Sequence, residues 1–169
     1  MSEDKQYDFY VAGPFFDPEQ TASMERLEKI LEDHGKVLFK PRFVSQIEEV
    51  GPEGCFADDI HGINAAKAVV ANLMDEDPGT MFEIGYAHAL GIPVYGYFEN
   101  LTPMDRVNLM IAQAVELVFV GPDDVAKYLE TGEHTEVDYI QFLTALTGSL
   151  QAGLAAFSYI VMYGNAAVV

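Results

Sequence analysis

Short apolar runs alternate along the chain with segments of helical periodicity. Residues 7–12, YDFYVA, form a β-rich run that stops at Gly13-Pro14. Asp17-Pro18-Glu19 then reads as an N-cap, a first-turn proline and an acid suited to the positive end of a helix dipole. Met24, Leu27, Ile30 and Leu31 recur at helical spacing, and Gly35 falls where such a helix would end. Residues 36–40, KVLFK, predict a second short strand. A loop with Pro41, Gly51, Pro52 and Gly54 leads to a predicted helix over 56–66. AKAVVANLM, residues 66–74, is a nearly continuous apolar run, as expected of a strand covered on both faces. Further strands are predicted at 92–98 and 116–120, and further helices from about residue 80, from Thr102-Pro103-Met104-Asp105, and over 122–130. In the helix starting at Thr102, Val107, Met110, Ile111 and Ala114 would share one face.

Strands that alternate with helices imply crossovers of one hand and a mostly parallel sheet. The expected fold is α/β: a doubly wound, flavodoxin-like five-stranded sheet with flanking helices. Ligands of such sheets bind beyond the carboxyl ends of the strands, near the switch in strand order. That rule gathers Gly13 to Phe16, Asp75 to Thr80 and Glu99 to Thr102 into one place. No G-x-G-x-x-G or G-x-x-x-x-G-K-[ST] motif occurs, so no dinucleotide or P-loop phosphate site is supported and no cofactor is expected.

The stretch DEDPGTMFEIGYAHAL, residues 75–90, supports two readings of Glu83. Thr80-Met81-Phe82-Glu83 fits a capping box, in which the glutamate folds back onto the helix start. Alternatively, Glu83 is a catalytic carboxylate at the mouth of the crevice.

Composition narrows the partners. The 169 residues suit a single domain, and the net charge of −18, from 27 acids and 9 bases, repels phosphate backbones and argues against nucleic acid. Cys55 is the lone cysteine, so no internal disulfide can form. The N-terminus is acidic and polar, unlike a signal peptide, and a cytoplasmic location is expected. His34, His61, His88 and His134 lack metal-ligand spacing, and Asp75-Glu76-Asp77 reads as a solvated turn, so no metal site is expected. Residues 139–169 carry no charged side chain. Their length suffices for a membrane span of about 20 residues. Gln141, Thr144, Thr147, Ser149, Gln151 and Ser158 dilute that run, and no basic cluster flanks it. The expectation is an α/β domain over 1–138 and an apolar helical extension over 139–169, packed in the same domain or at a subunit interface.

Four pieces, YVAGPFF (10–16), DDIHGI (58–63), DPGTMFEIGYA (77–87) and VNLMIAQAV (107–115), together and in this order resemble the nucleoside 2-deoxyribosyltransferase family. The resemblance covers roughly residues 7–121, and NLMIAQ looks more like the purine-exchanging branch. It implies base exchange on 2′-deoxynucleosides, with free nucleobases as co-substrates, in a homo-oligomer such as a dimer or hexamer. Residue by residue, it implies that Glu83 is the nucleophile, Tyr10 the hydroxyl that orients it, and Asp59 the acid that shuttles a proton to the base, with Asp58 the neighbouring alternative. It implies that Asp77 and Asn108, the latter from a neighbouring subunit, hold the 5′-hydroxyl, with Met110 beside them. Gly13 and Phe16 would line the substrate pocket, and Gln46 would contact the base.

The chemistry is coherent by itself. Exchange with retention requires two displacements through a covalent sugar ester on a carboxylate, and a second carboxyl to protonate the leaving base. A glutamate in a first helical turn would be kept ionised by the dipole. Two other functions remain open: a nucleoside 5′-monophosphate N-glycosidase, and a non-catalytic nucleotide-sensing module. An aspartate facing a phosphate costs about 4 kcal/mol per unit-charge pair at 4 Å and an effective dielectric of 20, which favours nucleosides. The chain also departs from the family in its long uncharged C-terminus ending at Val169, so no role for a terminal carboxylate is carried over.

Overall fold

The computed structural model describes residues 5–44, 46–102, 105 and 107–137. The expected apolar extension, 139–169, lies outside them. Strands β1 (Tyr7–Ala12), β2 (Leu38–Phe39), β3 (Ala66–Asn72), β4 (Val94–Tyr97) and β5 (Leu117–Phe119) form one sheet in the order β2-β1-β3-β4-β5. Every pairing is parallel, which sharpens the expected mostly parallel sheet. This is the doubly wound order whose switch point lies between β1 and β3.

The helices are α1 (Pro18–Asp33), α2 (Pro41–Val44), α3 (Ile47–Ala65), α4 (Pro78–Ala89), α5 (Leu109–Ala114) and α6 (Pro122–Thr131). α1 packs on α6 across one face of the sheet, and α4 contacts both α3 and α5 on the other. The side-chain alternation of β1 separates two cores. Tyr10 and Ala12 join Phe39, Ile63, Val69 and Ile84 on the α3–α4 face, and Val11 joins Met24, Leu27, Leu31 and Tyr97 on the α1 face. β3 contributes to both, Val69 to one and Val70 to the other, because a central strand is covered on each side.

Three expected elements are corrected. The helix predicted over 56–66 extends back to Ile47, broken at Gly51, where φ of 70° and ψ of 174° leave the helical region and Pro52 restarts it. The helix expected from Thr102 begins instead at Leu109, with Asn108 as its cap, while the Asp105 carboxylate accepts from Thr102 in a separate turn. Met110 does not share the buried face of Val107, Ile111 and Ala114: it is 76% exposed, whereas those three pack on the core. At its far end the described chain runs from α6 back onto that same core, where Val137 packs, after the buried Asp124 accepts from the Thr135 amide at 2.6 Å.

Gly62 links this packing to the crevice. A Cβ there would sit 2.5 Å from the Phe39 ring, which stacks on Tyr10 at 5.4 Å and 12°. Overpacking of this kind costs about 1–3 kcal/mol, and the roughly 1 kcal/mol gained by removing a helical glycine offsets only part of it. Gly62→Ala should therefore lower the urea midpoint. Gly85→Ala, in α4 with nothing within 4 Å of its Cβ, should raise it or leave it unchanged.

Candidate active site

The crevice forms where β1 and β3 part. β1 ends at Ala12 opposite Ala71, and Gly13 then passes so close to β3 that a Cβ would lie 2.9 Å from Asn72 Cβ and 2.3 Å from Met24 Sδ. Only glycine allows that approach. The loop continues through Phe15 and Phe16, whose rings stack at 5.1 Å, with Phe16 74% exposed at the rim.

Across the crevice, β3 leads through a 3₁₀ turn, Met74–Glu76, into α4. Asp75 and Glu76 both have positive φ, 57° and 49°. Two successive non-glycine residues in this region cost on the order of 1 kcal/mol or more each, so their surroundings must hold them. Asp77 follows as the N-cap of α4, its Oδ2 accepting from the Thr80 amide at 2.8 Å and the Thr80 hydroxyl at 2.9 Å.

That cap overturns the capping-box reading of Glu83. The helix begins at Pro78, three residues before the box would allow, so Glu83 is its sixth residue and belongs to the second turn. The dipole argument goes with it, because that field fades within the first turn. Glu83 lies between the buried Thr80, Ile84 and Ala87 on the inward face and meets β1. The Tyr10 hydroxyl donates to Glu83 Oε1 at 2.5 Å, and Tyr10 itself is fully buried.

Burial raises the Glu83 carboxyl to about 7. The Tyr10 bond opposes that rise, while the charges of Asp59 and Asp77 add to it. Asp59 is on α3, one turn before the buried Gly62 and Ile63. Its carboxyl is raised to about 6, first by burial and then by the charge of Asp58. Burial and the Glu83 charge push the Tyr10 phenol far up, so it stays a donor. The structure thus brings Tyr10, Asp59 and Asp77 within electrostatic reach of Glu83.

Other expected site residues lie elsewhere. Asn108 accepts from the Met110 amide at 2.9 Å and lines, with Leu73, Asp75, Glu76, Met81 and Phe98, a cleft on the outer side of the Asp75–Glu76 turn whose lining includes neither Tyr10 nor Glu83. Gln46 is exposed at the start of α3 and makes no side-chain cap bond. Among the described residues, no group of three or more His, Cys, Asp or Glu side chains has metal-holding geometry, and no helix is long and apolar enough to cross a membrane.

Two buried polar residues were not singled out from the sequence. Asn72, 1% exposed, donates to the Ser23 hydroxyl at 2.9 Å and accepts from the Met74 amide at 3.1 Å. Gln20, 8% exposed, bonds to both lips of the crevice. An asparagine inside an otherwise apolar strand was the available signal for the first. Gln20, at the third position of a helix, looks like any capping residue.

A doubly wound sheet that sets a hydroxyl-held carboxylate and a second raised carboxyl near its switch point fits a crevice site for nucleophilic and acid–base chemistry. The nucleoside 2-deoxyribosyltransferase family profile matches residues 9–139, and the chain belongs to that family. The structure is similar to the 2-deoxyribosyltransferase of the psychrotolerant bacterium Bacillus psychrosaccharolyticus, with 30% identity, a TM-score of 0.63, and coverage of 71% of this chain and 90% of that one. A conserved protein from Enterococcus faecalis V583 shares the fold at 20% identity and a TM-score of 0.62, covering 74% of this chain and 98% of its own. No curated protein matches the chain.

The native state holds the Glu83 proton more tightly than an unfolded chain would. Its contribution to stability is therefore fully present below about pH 4.5 and is lost as the pH rises through about 7. Glu83→Gln keeps an acceptor for Tyr10 and cannot ionise. Relative to the parent, it should gain roughly 2–3 kcal/mol in unfolding free energy between pH 4.5 and pH 8. A constant difference across that range, in denaturant titrations, would mean that Glu83 ionises without cost.

Proposed function

We propose that this protein exchanges the nucleobase of 2′-deoxynucleosides through a deoxyribosyl ester on Glu83, with retention of configuration. The observation that carries this reading is the buried Glu83 carboxylate, held by the Tyr10 hydroxyl and faced by a second raised carboxyl. Tyr10 occupies Oε1 and leaves Oε2 to attack C1′. The C1′–N bond breaks as the C1′–O bond forms, and the departing base takes the Asp59 proton. An incoming base then gives its N–H proton to Asp59, attacks C1′ and releases Glu83. Intact mass after brief exposure to deoxyinosine should show a deoxyribosyl adduct, absent in Glu83→Ala. That variant should lose exchange by several orders of magnitude with its fold intact. Near-normal exchange in Glu83→Ala would overturn the nucleophile assignment.

Exchange needs Glu83 ionised and Asp59 protonated. Their carboxyls titrate near 7 and 6, so one proton is shared between them in that range, and kcat/KM should follow a narrow bell centred there. Asp59→Asn should remove the alkaline limb and cost about 10²- to 10⁴-fold in rate. Tyr10→Phe deletes the bond that lowers the Glu83 carboxyl, so the acidic limb should move to higher pH. A limb unmoved in Tyr10→Phe would separate Tyr10 from the reaction.

Asp77, at the entrance beside Glu83, is assigned to the sugar's 5′-hydroxyl, and the acid-lined lip favours a nucleoside over its 5′-monophosphate. Asn108 and Met110 are assigned to a neighbouring subunit's crevice. Supporting this, Asn108 lines a cleft apart from Tyr10 and Glu83 in its own chain, and Met110 is 76% exposed. Mixing Glu83→Ala chains with Asn108→Ala chains should then restore part of the activity, because a mixed assembly can hold one intact site. Equal turnover of deoxynucleoside and monophosphate would overturn the Asp77 role, and failed complementation would overturn the shared site.

A further inference from the structure

Gln20 stands in the first turn of α1, and both ends of its side-chain amide are engaged. Its Oε1 accepts from the Phe16 amide at 2.8 Å, and its Nε2 donates to Asp75 Oδ2 at 2.9 Å. The orientation is unambiguous, because a backbone N–H requires the oxygen and a carboxylate requires the N–H. A capping box would return Gln20 to the Asp17 amide, whereas its first bond goes one residue further back, to Phe16. The second reaches 55 residues along the chain, into the turn between β3 and α4.

These two partners are the two lips of the crevice. One lip is the loop from Gly13 to Asp17, which carries the exposed Phe16. The other is the turn in which Asp75 and Glu76 adopt left-handed backbone and which leads directly into Asp77. The remaining bonds of that turn are local: Asn72 holds the Met74 amide, and Asp77 holds Thr80. Gln20 supplies a bond from across the crevice, from a buried position that solvent cannot replace.

We propose that Gln20 is a positioning residue for nucleoside binding, clamping the Phe16 loop to the strained turn before Asp77 and so setting the width of the crevice mouth that receives the sugar. This rests on the exchange reading above. The clamp acts on the lips, whereas Glu83 and Tyr10 are held to each other by their own bond between α4 and β1. Its loss should therefore weaken substrate binding and spare the chemical step.

Gln20→Glu keeps the size and the bond to Phe16, but sets a carboxylate against Asp75. Combining it with Asp75→Asn reverses donor and acceptor, so that the side chain at 75 donates to the one at 20. KM and kcat are measured for base exchange from deoxyinosine, and Kd for deoxyinosine by equilibrium titration in a Glu83→Ala background. Gln20→Glu should raise KM and Kd at least tenfold, leaving kcat and the acidic limb of the pH profile in place. The double variant should return both to within about threefold of the parent. Asp75→Ala opens the clamp from the exposed side but sets an alanine in left-handed backbone, so its melting temperature is measured alongside, and it should raise KM similarly. An unchanged KM in Gln20→Glu or Asp75→Ala overturns the proposal, as does a double variant no better than the single. A fall in melting temperature and kcat together, with KM unchanged, also overturns it, since that is what a purely structural residue would show. If the parent binds deoxyinosine without exchanging bases, the exchange reading fails and Kd alone judges the clamp. A parent that does not bind deoxyinosine overturns both.

Discussion

The hydrogen bond from Tyr10 to Glu83 is the constraint around which this structure is arranged. It crosses from a central strand to the helix that follows β3, and it places a carboxylate where apolar side chains would otherwise meet. Burial alone would drive that carboxyl to its neutral form, and the phenol opposes this by donating to the ionised one. The bond exists because β1 and β3 are adjacent in the sheet, so a side chain of β1 faces the helix launched from β3. Phe39 on the other neighbouring strand stacks on the Tyr10 ring, and the absence of a side chain at Gly62 leaves Phe39 its room.

A carboxylate held this way needs a frame that does not relax, and α1 provides much of it. Gln20, Ser23 and Arg26 lie three residues apart along one stripe of the helix and bond to the ends of β3 and β4. Ser23 links Asn72 to Glu99, and Arg26 grips both Glu99 oxygens at 2.9 and 2.8 Å. Tyr97 adds a fourth donor at 2.7 Å, and these donors together hold the Glu99 carboxyl below its ordinary range despite partial burial. An exposed ion pair alone contributes little, but a connected, partly buried network limits the positions its loops can take. The loops after β1, β3 and β4 are thereby joined from behind, on the sheet face opposite Glu83. The strained backbone at Asp75 and Glu76 persists because both flanks of that turn are tied down.

Much of the architecture was legible in local pattern. Apolar runs of five to nine residues, separated by helical periodicity and Gly/Pro punctuation, determined five strands, their alternation with helices and hence the α/β class, since each short-range preference agreed with the global fold. The motif set around Tyr10, Asp59, Asp77 and Glu83 was legible too, because its pieces are contiguous and ordered. Local pattern misled where two short-range signals competed. T-x-x-E at 80–83 fits a cap, yet Asp77 and Pro78 start the helix a turn earlier, since aspartate followed by proline is the stronger initiator. Met110 has core spacing, yet α5 is too short and too close to its cap to bury that side.

What only the tertiary structure decided is which distant groups share a low-dielectric space. A sequence records that Glu83 and Asp59 are carboxylic acids with ordinary affinities for protons. Their rise to about 7 and about 6 comes from the packing of α3 and α4 onto β1, which no spacing along the chain encodes. The same holds for Gln20 and Asp75, 55 residues apart and joined by one bond across the crevice. Periodicity and capping act over a few residues, so the chain itself could specify the elements and their class. Burial and charge interaction act through space, so they were settled only when the sheet brought the ends of β1 and β3 side by side.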